Sequence, residues 1–241
     1  MSDQRNQANR DIDPALAYFE MQWGTYMKVV ANNLMSHREV YRELHRVLIE
    51  DAPQPFCFID VACGDASCTV GALKNTSVAS YCGIDITRPA LNLAAEAVAS
   101  LDCPTRLENR DFVDALQHWS EPVDVIWIGM SLHHLLTPAK AALMRKVHDL
   151  LGDRGLFIVW EPTLLEGEDR GGWLDRFTSN RPFWTALSDK EFASVDAHNR
   201  AADYPETAVT WRALGIGAGF SSATELFRAP NDLHRMYLFR R

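Results

Sequence analysis

The sequence predicts an α/β fold built on a doubly wound, mostly parallel sheet, and three observations carry that prediction. From Phe56 to Trp160, short apolar runs alternate with amphipathic segments, the pattern of buried parallel strands joined by helices. The first run passes through a glycine turn into a helix at "FIDVACGDASCTVGAL". The chain then closes on "FSSATELFRA" and "HRMYLFRR", strand-like segments joined by "PND", which read as an antiparallel hairpin at one edge of the sheet. The 241 residues, 47% of them hydrophobic, suffice for one sizeable core and fit one elaborated domain better than two.

Residues 1–13 are polar and acidic and are expected to be a disordered tail. Asp13 and Pro14 then mark a helix start, an N-cap acceptor followed by a proline where its missing N–H costs nothing. Ser36 and Glu39 have capping-box spacing ahead of Val40, Leu44, Val47 and Leu48, predicting a second helix. Residues 14–50 thus form two N-terminal helices, a lid on a main domain spanning 51–241. Strands are predicted at 56–61, 79–84, 105–109, 123–130 and 156–160, with a helix after each of the first four. Thr137 and Pro138 open the fourth of these helices, and Gly152 is placed to close it. After Glu161 the rhythm breaks. Residues 163–204 are polar and aromatic, with a second capping box at Ser188 and Glu191, and read as a helical cap inserted after strand five. Pro205 opens a further helix ending near Gly215.

Charge and cysteine content narrow the function classes. A net charge of −8 opposes the phosphate electrostatics that supply most nucleic-acid affinity, so a small molecule is the expected partner and no nucleic acid is expected. The five cysteines include no C-x-x-C pair and read as reduced buried thiols. No signal peptide or 18-residue apolar run is present, so a cytoplasmic protein without membrane contact is expected. The chain leaves a homodimer open.

In a doubly wound sheet ligands bind beyond the carboxyl ends of the strands, which directs attention to the residues that follow each strand. After strand one comes "DVACGDAS", where Gly64 lets a ligand approach the backbone and the next helix offers free N–H groups. After strand two, Asp85 and Ile86 stand where an acid accepts both hydroxyls of a ribose. After strand three, Asp111 and Phe112 supply an acid and an aromatic for an adenine edge and face. Together these positions imply an adenosine cofactor. A dinucleotide would place its pyrophosphate at the first turn, but Ala62, Gly64 and Ser67 stand there beside Asp60 and Asp65, and those acids disfavour a phosphate. S-adenosylmethionine brings an ammonium, a sulfonium and one carboxylate, which suit an acid at the strand end and a helix N-terminus.

On these residues Phe56 to Pro162 resembles the core of the class I S-adenosylmethionine-dependent methyltransferases. The family's D-x-G-x-G-x-G motif is matched at Asp60, Cys63 and Gly64, with Ala62 and Ala66 in place of flanking glycines. Its ribose acid falls on Asp85, its adenine pair on Asp111 and Phe112, and its fourth-strand segment on "VDVIWIGMSLHHL". Its L-x-x-G-G segment appears as "LLGDRGLFIVWEP". The resemblance implies a Rossmann-like seven-stranded sheet of order 3-2-1-4-5-7-6 with strand seven antiparallel. It also implies backbone contacts to the cofactor at Gly129 and Met130.

Three residues are candidate catalytic groups. His133 and His134 are suited to take a proton from an attacking O–H or N–H, and Glu161 borders the same crevice. His133, His134, Glu161 and His198 lack an i, i+4 His/Glu spacing, so no metal is expected. Aromatics in the two added segments, Tyr18, Trp23 and Tyr26 in the first helix and Trp173, Phe177 and Trp184 in the cap, are candidates for an acceptor pocket. The resulting expectation is in-line methyl transfer to a small organic molecule. Two alternatives stay open: an RNA or protein methyltransferase, and a non-catalytic cofactor-binding subunit.

Overall fold

The structure is a computed structural model that describes residues 14–241, with side chains described from Trp23 onward. The expected tail at 1–13 and the side chain of Tyr18 lie outside the described residues. Two helices, α1 (Pro14–Ala31) and α2 (His37–Glu50), precede the alternating elements β1 (Phe56–Val61), α3 (Ser67–Leu73), β2 (Val78–Asp85), α4 (Arg88–Val98), β3 (Thr105–Asn109), α5 (Phe112–Gln117), β4 (Val123–Gly129), α6 (Thr137–Leu150) and β5 (Leu151–Leu164). The cap contains α7 (Arg170–Ser179) and α8 (Asp189–Ala202), and β6 (Glu206–Thr207), α9 (Ala208–Ala218), β7 (Ser222–Arg228) and β8 (His234–Arg240) complete the chain.

The sheet runs β3-β2-β1-β4-β5-β8-β7, with β6 paired to β5 off this path. Pairings from β3 to β5 are parallel, and β8 runs antiparallel to both β5 and β7. This is the expected order with one addition, the two-residue β6, which pairs with the unexpectedly long end of β5 at Thr163 and Leu164.

Alternate residues of the central strands enter opposite cores, as a strand period of two requires. Ile126 and Ile128 of β4 and Phe157 and Val159 of β5 pack with Leu143, Met144 and Val147 of α6. Val125, Trp127, Ile158 and Trp160 pack on the other face with Val40, Leu44, Val47 and Leu48 of α2. The cap has an aromatic core of its own, Trp173, Phe177, Trp184 and Phe192, which meets the N-terminal helices at Val29 and the hairpin at Leu233.

Several helix ends differ from expectation; the helix expected from Pro205 to about Gly215 runs Ala208–Ala218, capped by Thr207 after the short β6. Ser36 adopts a left-handed conformation (φ 66°) and caps nothing with its side chain; Glu39 accepts a hydrogen bond from Asn33 at 2.8 Å instead. At the end of α6 the chain enters β5 at an extended Leu151, so Gly152 lies within the strand and closes no helix. The capping box at Ser188 and Glu191 forms with both of its hydrogen bonds.

Candidate active site

The turn after β1 is held open by an unusual backbone. Ala62 (φ 54°), Gly64 (φ 55°) and Ala66 (φ 57°) are all left-handed, a conformation that costs a residue with a Cβ about 1–2 kcal/mol. The turn is fastened from β2: Cys63 N–H donates to the Ile84 carbonyl at 3.0 Å and Gly64 N–H donates to Asp85 Oδ2 at 2.9 Å. The space beside Gly64 is open, since a Cβ there would meet nothing within 4 Å. Beneath the turn, Asp60 is buried and accepts a hydrogen bond from the Tyr81 hydroxyl at 2.9 Å. Burial lifts its pKa to about 7, against the opposing hydrogen bonds from Tyr81 and Thr69.

The other cofactor candidates line the carboxyl edge outside the main cavity. Asp85 uses its second oxygen to accept from Thr87 N–H at 2.7 Å, which braces the turn after β2. Ile86 beside it is 71% exposed, an uncovered apolar surface at the strand end. Asp111 caps α5 by accepting from Val113 N–H at 2.9 Å and Asp114 N–H at 3.1 Å, and Phe112 packs against the core at the helix start. These four residues lie at the ends of β2 and β3, next to β1 in the sheet.

The turn after β4 is built differently. Met130 is left-handed (φ 56°), and its N–H donates to the Trp160 carbonyl at 2.7 Å. Glu161, fully buried at the end of β5, then accepts from the N–H groups of Ser131 (3.3 Å), Leu132 (2.9 Å) and His133 (3.2 Å). It also pairs with His133 Nδ1 at 2.6 Å. Four donors occupy this carboxylate and it does not border the main cavity, so Glu161 is a positioning residue and the expectation that it acts as a base is corrected. Its service is to set His133 and His134, on the 3-10 turn Leu132–His134, at the edge of the crevice. Burial pulls the His133 pKa down, but the adjacent carboxylates of Glu161 and Asp203 outweigh it and raise it to about 9. Burial, aided by neighbouring His133, lowers that of His134.

One cavity of about 420 Å³ joins these parts. Ala62, Gly64, Gly129 and Met130 border it at the strand ends; Trp23, Tyr26 and Trp184 border it on the side of the added segments. Trp173 and Phe177 do not reach it. Their rings stack on each other with centroids 5.9 Å apart inside the cap core, so their expected place in the pocket is corrected: these aromatics of the added segment are used for packing. Conversely, His37, Tyr41, Trp127 and Trp160 line the cavity without having been singled out. The available signal was weak: Trp160 immediately precedes Glu161 at a strand end, and Trp127 resembles any core tryptophan. Asp203 and Asn199, also on the wall, carry no local motif.

The residues at the turn fit a ligand bearing a cation and one apolar face. The open left-handed backbone at Gly64 permits close approach, Asp60 and Asp85 supply carboxyl groups that a cation would pair with, and Ile86 supplies an apolar surface.

Residues 59–157, from within β1 to within β5, match the family described as "Methyltransferase domain". Over this segment the chain is similar to methyltransferase domains. Comparison with curated proteins finds no match. Solved structures match the fold at low identity. An O-methyltransferase family protein of Burkholderia thailandensis has a TM-score of 0.64 at 12% identity, covering 89% of this chain and 59% of that one. An O-methyltransferase family 2 protein of Planctomyces limnophilus, in complex with apigenin, gives 0.58 at 15%, covering 90% and 61%. The S-adenosylmethionine-dependent methyltransferase SibL in its apo form gives 0.54 at 17%, covering 82% and 54%. The chain therefore spans 54–61% of the length of these proteins. Among the described residues no helix is long and apolar enough to cross a membrane.

Proposed function

We propose that this chain is an S-adenosylmethionine-dependent methyltransferase that methylates a small organic acceptor by in-line transfer. The observation that carries the reading is the single cavity that runs from the methyltransferase-domain turn to the aromatic cap. Asp85 and Ile86 would hold the ribose hydroxyls and one face of the adenine, with Asp111 and Phe112 beside them. The backbone of Ala62, Cys63 and Gly64, together with Asp60, would meet the amino-acid end, where negative charge favours an ammonium. Gly129 and Met130 border the space where the acceptor must approach. Bound there, S-adenosylmethionine supplies a methyl group already activated by its sulfonium. Much of the rate therefore falls to positioning, and Trp23, Tyr26 and Trp184 supply the walls that orient a flat or apolar acceptor and exclude water.

Support for a small acceptor comes from the aromatic walls of the cavity and from a net charge of −8, which opposes a polyanion. The test is incubation with methyl-labelled S-adenosylmethionine and, separately, a metabolite extract, RNA and a protein extract. Label entering the small-molecule fraction is expected. Transfer to RNA or protein would overturn the acceptor class, and cofactor binding without any transfer would mark a non-catalytic subunit.

A further inference from the structure

Four side chains that cofactor binding does not use converge at the cap end of the cavity. His133 and His134 come from the turn after β4, His198 from α8, and Asp203 from just beyond it. Asp203 Oδ1 stands 3.4 Å from His133 Nε2, 3.5 Å from His134 Nδ1 and 3.9 Å from His198 Nε2. Asp203 is 3% exposed, yet Oδ1 has no hydrogen-bond partner. A buried carboxylate oxygen left in that state is destabilising. The three nitrogens around it are too distant for charge-assisted hydrogen bonds, which close to about 2.7–2.9 Å. Their spacing has another reading: nitrogen and oxygen ligands at about 2.0–2.1 Å from a tetrahedral ion lie about 3.4 Å from one another.

One contact would give way to an ion, since His134 Nδ1 also faces the Ala202 carbonyl at 3.3 Å; the other surroundings agree with that geometry. Glu161 engages His133 at Nδ1, which turns Nε2 toward Asp203 and reproduces the carboxylate–imidazole support that orients metal-binding histidines; an ion taking Nε2 would displace the proton that the two carboxylates favour there. The Asn199 amide, with its nitrogen turned toward Asp203, donates to Oδ2 at 3.2 Å, so that oxygen is satisfied and Oδ1 is the one left for a ligand. The frame is tied down from both sides. Tyr204 N–H donates to the His133 carbonyl at 2.9 Å, and Arg170 donates to the carbonyls of Asp203 at 2.6 Å and Asn199 at 3.2 Å.

We propose that His133, His134, His198 and Asp203 bind one divalent transition-metal ion, zinc or a zinc-like ion suited to imidazole and carboxylate donors. His133, His134 and Asp203 form the closest set, each offering one donor atom within 4.8 Å of the others. His198, the most distant and with a side chain 46% exposed, is the ligand that an incoming group from the cavity can displace. An acceptor hydroxyl or thiol bound in its place would be held and acidified by the ion; that consequence rests on the proposed methyl transfer, whereas the metal site does not. The sequence offered no i, i+4 spacing for such a site because its ligands come from separate elements brought together by the cap.

The full-length, untagged protein, freed of metal by a chelator, tests this by titration with Co²⁺ in visible absorption and with Zn²⁺ in calorimetry. One equivalent of Co²⁺ with tetrahedral ligand-field bands, bleached by Zn²⁺, is expected. Asp203→Asn and His134→Ala should weaken Zn²⁺ binding by about a hundredfold or more, beyond what loss of a supporting residue gives. His198→Ala, on a half-exposed helix face, should weaken it about tenfold and keeps the test open if the buried variants fail to fold. Absence of bands and heat with the wild-type protein, or equal binding by the folded variants, would overturn the site and leave an ion-pair cluster in its place. Both readouts are independent of methyl transfer.

Discussion

The turns after β1 and after β4 lie side by side at the carboxyl edge of the sheet, both use left-handed residues, and each has a buried acid nearby. They differ in where their N–H groups go. The β4 turn directs three N–H groups onto Glu161, whereas Asp60 is satisfied by side-chain hydroxyls of Tyr81 and Thr69 and takes no N–H from its own turn. One turn is therefore sealed from below and presents side chains, His133 and His134. The other is fastened to β2 at Cys63 and Gly64 and presents backbone. The proposed methyl transfer needs both kinds of surface, a backbone cradle for the cofactor and a side-chain face for the acceptor.

The largest effect should come from breaking the sealed turn. Glu161→Ala leaves three N–H groups and the His133 imidazole without their buried acceptor, and should destabilise the fold by about 3–5 kcal/mol in denaturant unfolding. A loss below about 1 kcal/mol would show that the turn does not depend on its acid.

The second effect separates the two acids by charge. The Asp60 pKa, raised from 3.8 to about 7, means that the folded protein holds a proton there which the unfolded chain releases near pH 4. Asp60 therefore lowers stability progressively as pH rises from about 4 to about 7, with no further change above. A cationic ligand favours the ionised form, so S-adenosylmethionine affinity should rise severalfold between about pH 6 and about pH 8 with proton release. Asp60→Asn should flatten that dependence. A pH-independent wild-type affinity would separate Asp60 from the ligand.

The smallest effect probes the strain in the open turn. Ala66→Gly places a residue without a Cβ at φ 57° and should stabilise the protein by about 1 kcal/mol in thermal unfolding, the relief of left-handed strain less the added freedom of the unfolded chain. A destabilised variant would mean that the Ala66 methyl, buried in the core beside α2, contributes more packing than strain.

The same contrast explains what was legible in the sequence. The β1 turn is a local device, and the spacing of Asp60, Gly64 and Asp85 was enough to locate it, because strand, turn and helix follow one another along the chain. The order of the sheet came with the family resemblance that these local motifs carry, save for β6, whose two residues carry no pattern. The β4 turn depends on partners distant in sequence. His133 and His134 were visible as a pair, but Glu161 had the same signature as a base until its four donors were seen. Asp203 had no signature at all. In the cap, Trp173 and Trp184 were equivalent by composition. Which ring faces the cavity depends on how α7 and α8 pack, a tertiary property that amphipathic periodicity does not encode.

The central claim is that the backbone cradle after β1, braced by Asp85, receives S-adenosylmethionine. Calorimetric titration of the wild-type protein and of Asp85→Ala with this cofactor tests it most directly. The account predicts one binding site in the wild-type protein and an affinity about ten- to a hundredfold weaker in the variant, the worth of hydrogen bonds to a charged group. Absence of binding by the wild-type protein, or equal affinity in a folded Asp85→Ala variant, would contradict it.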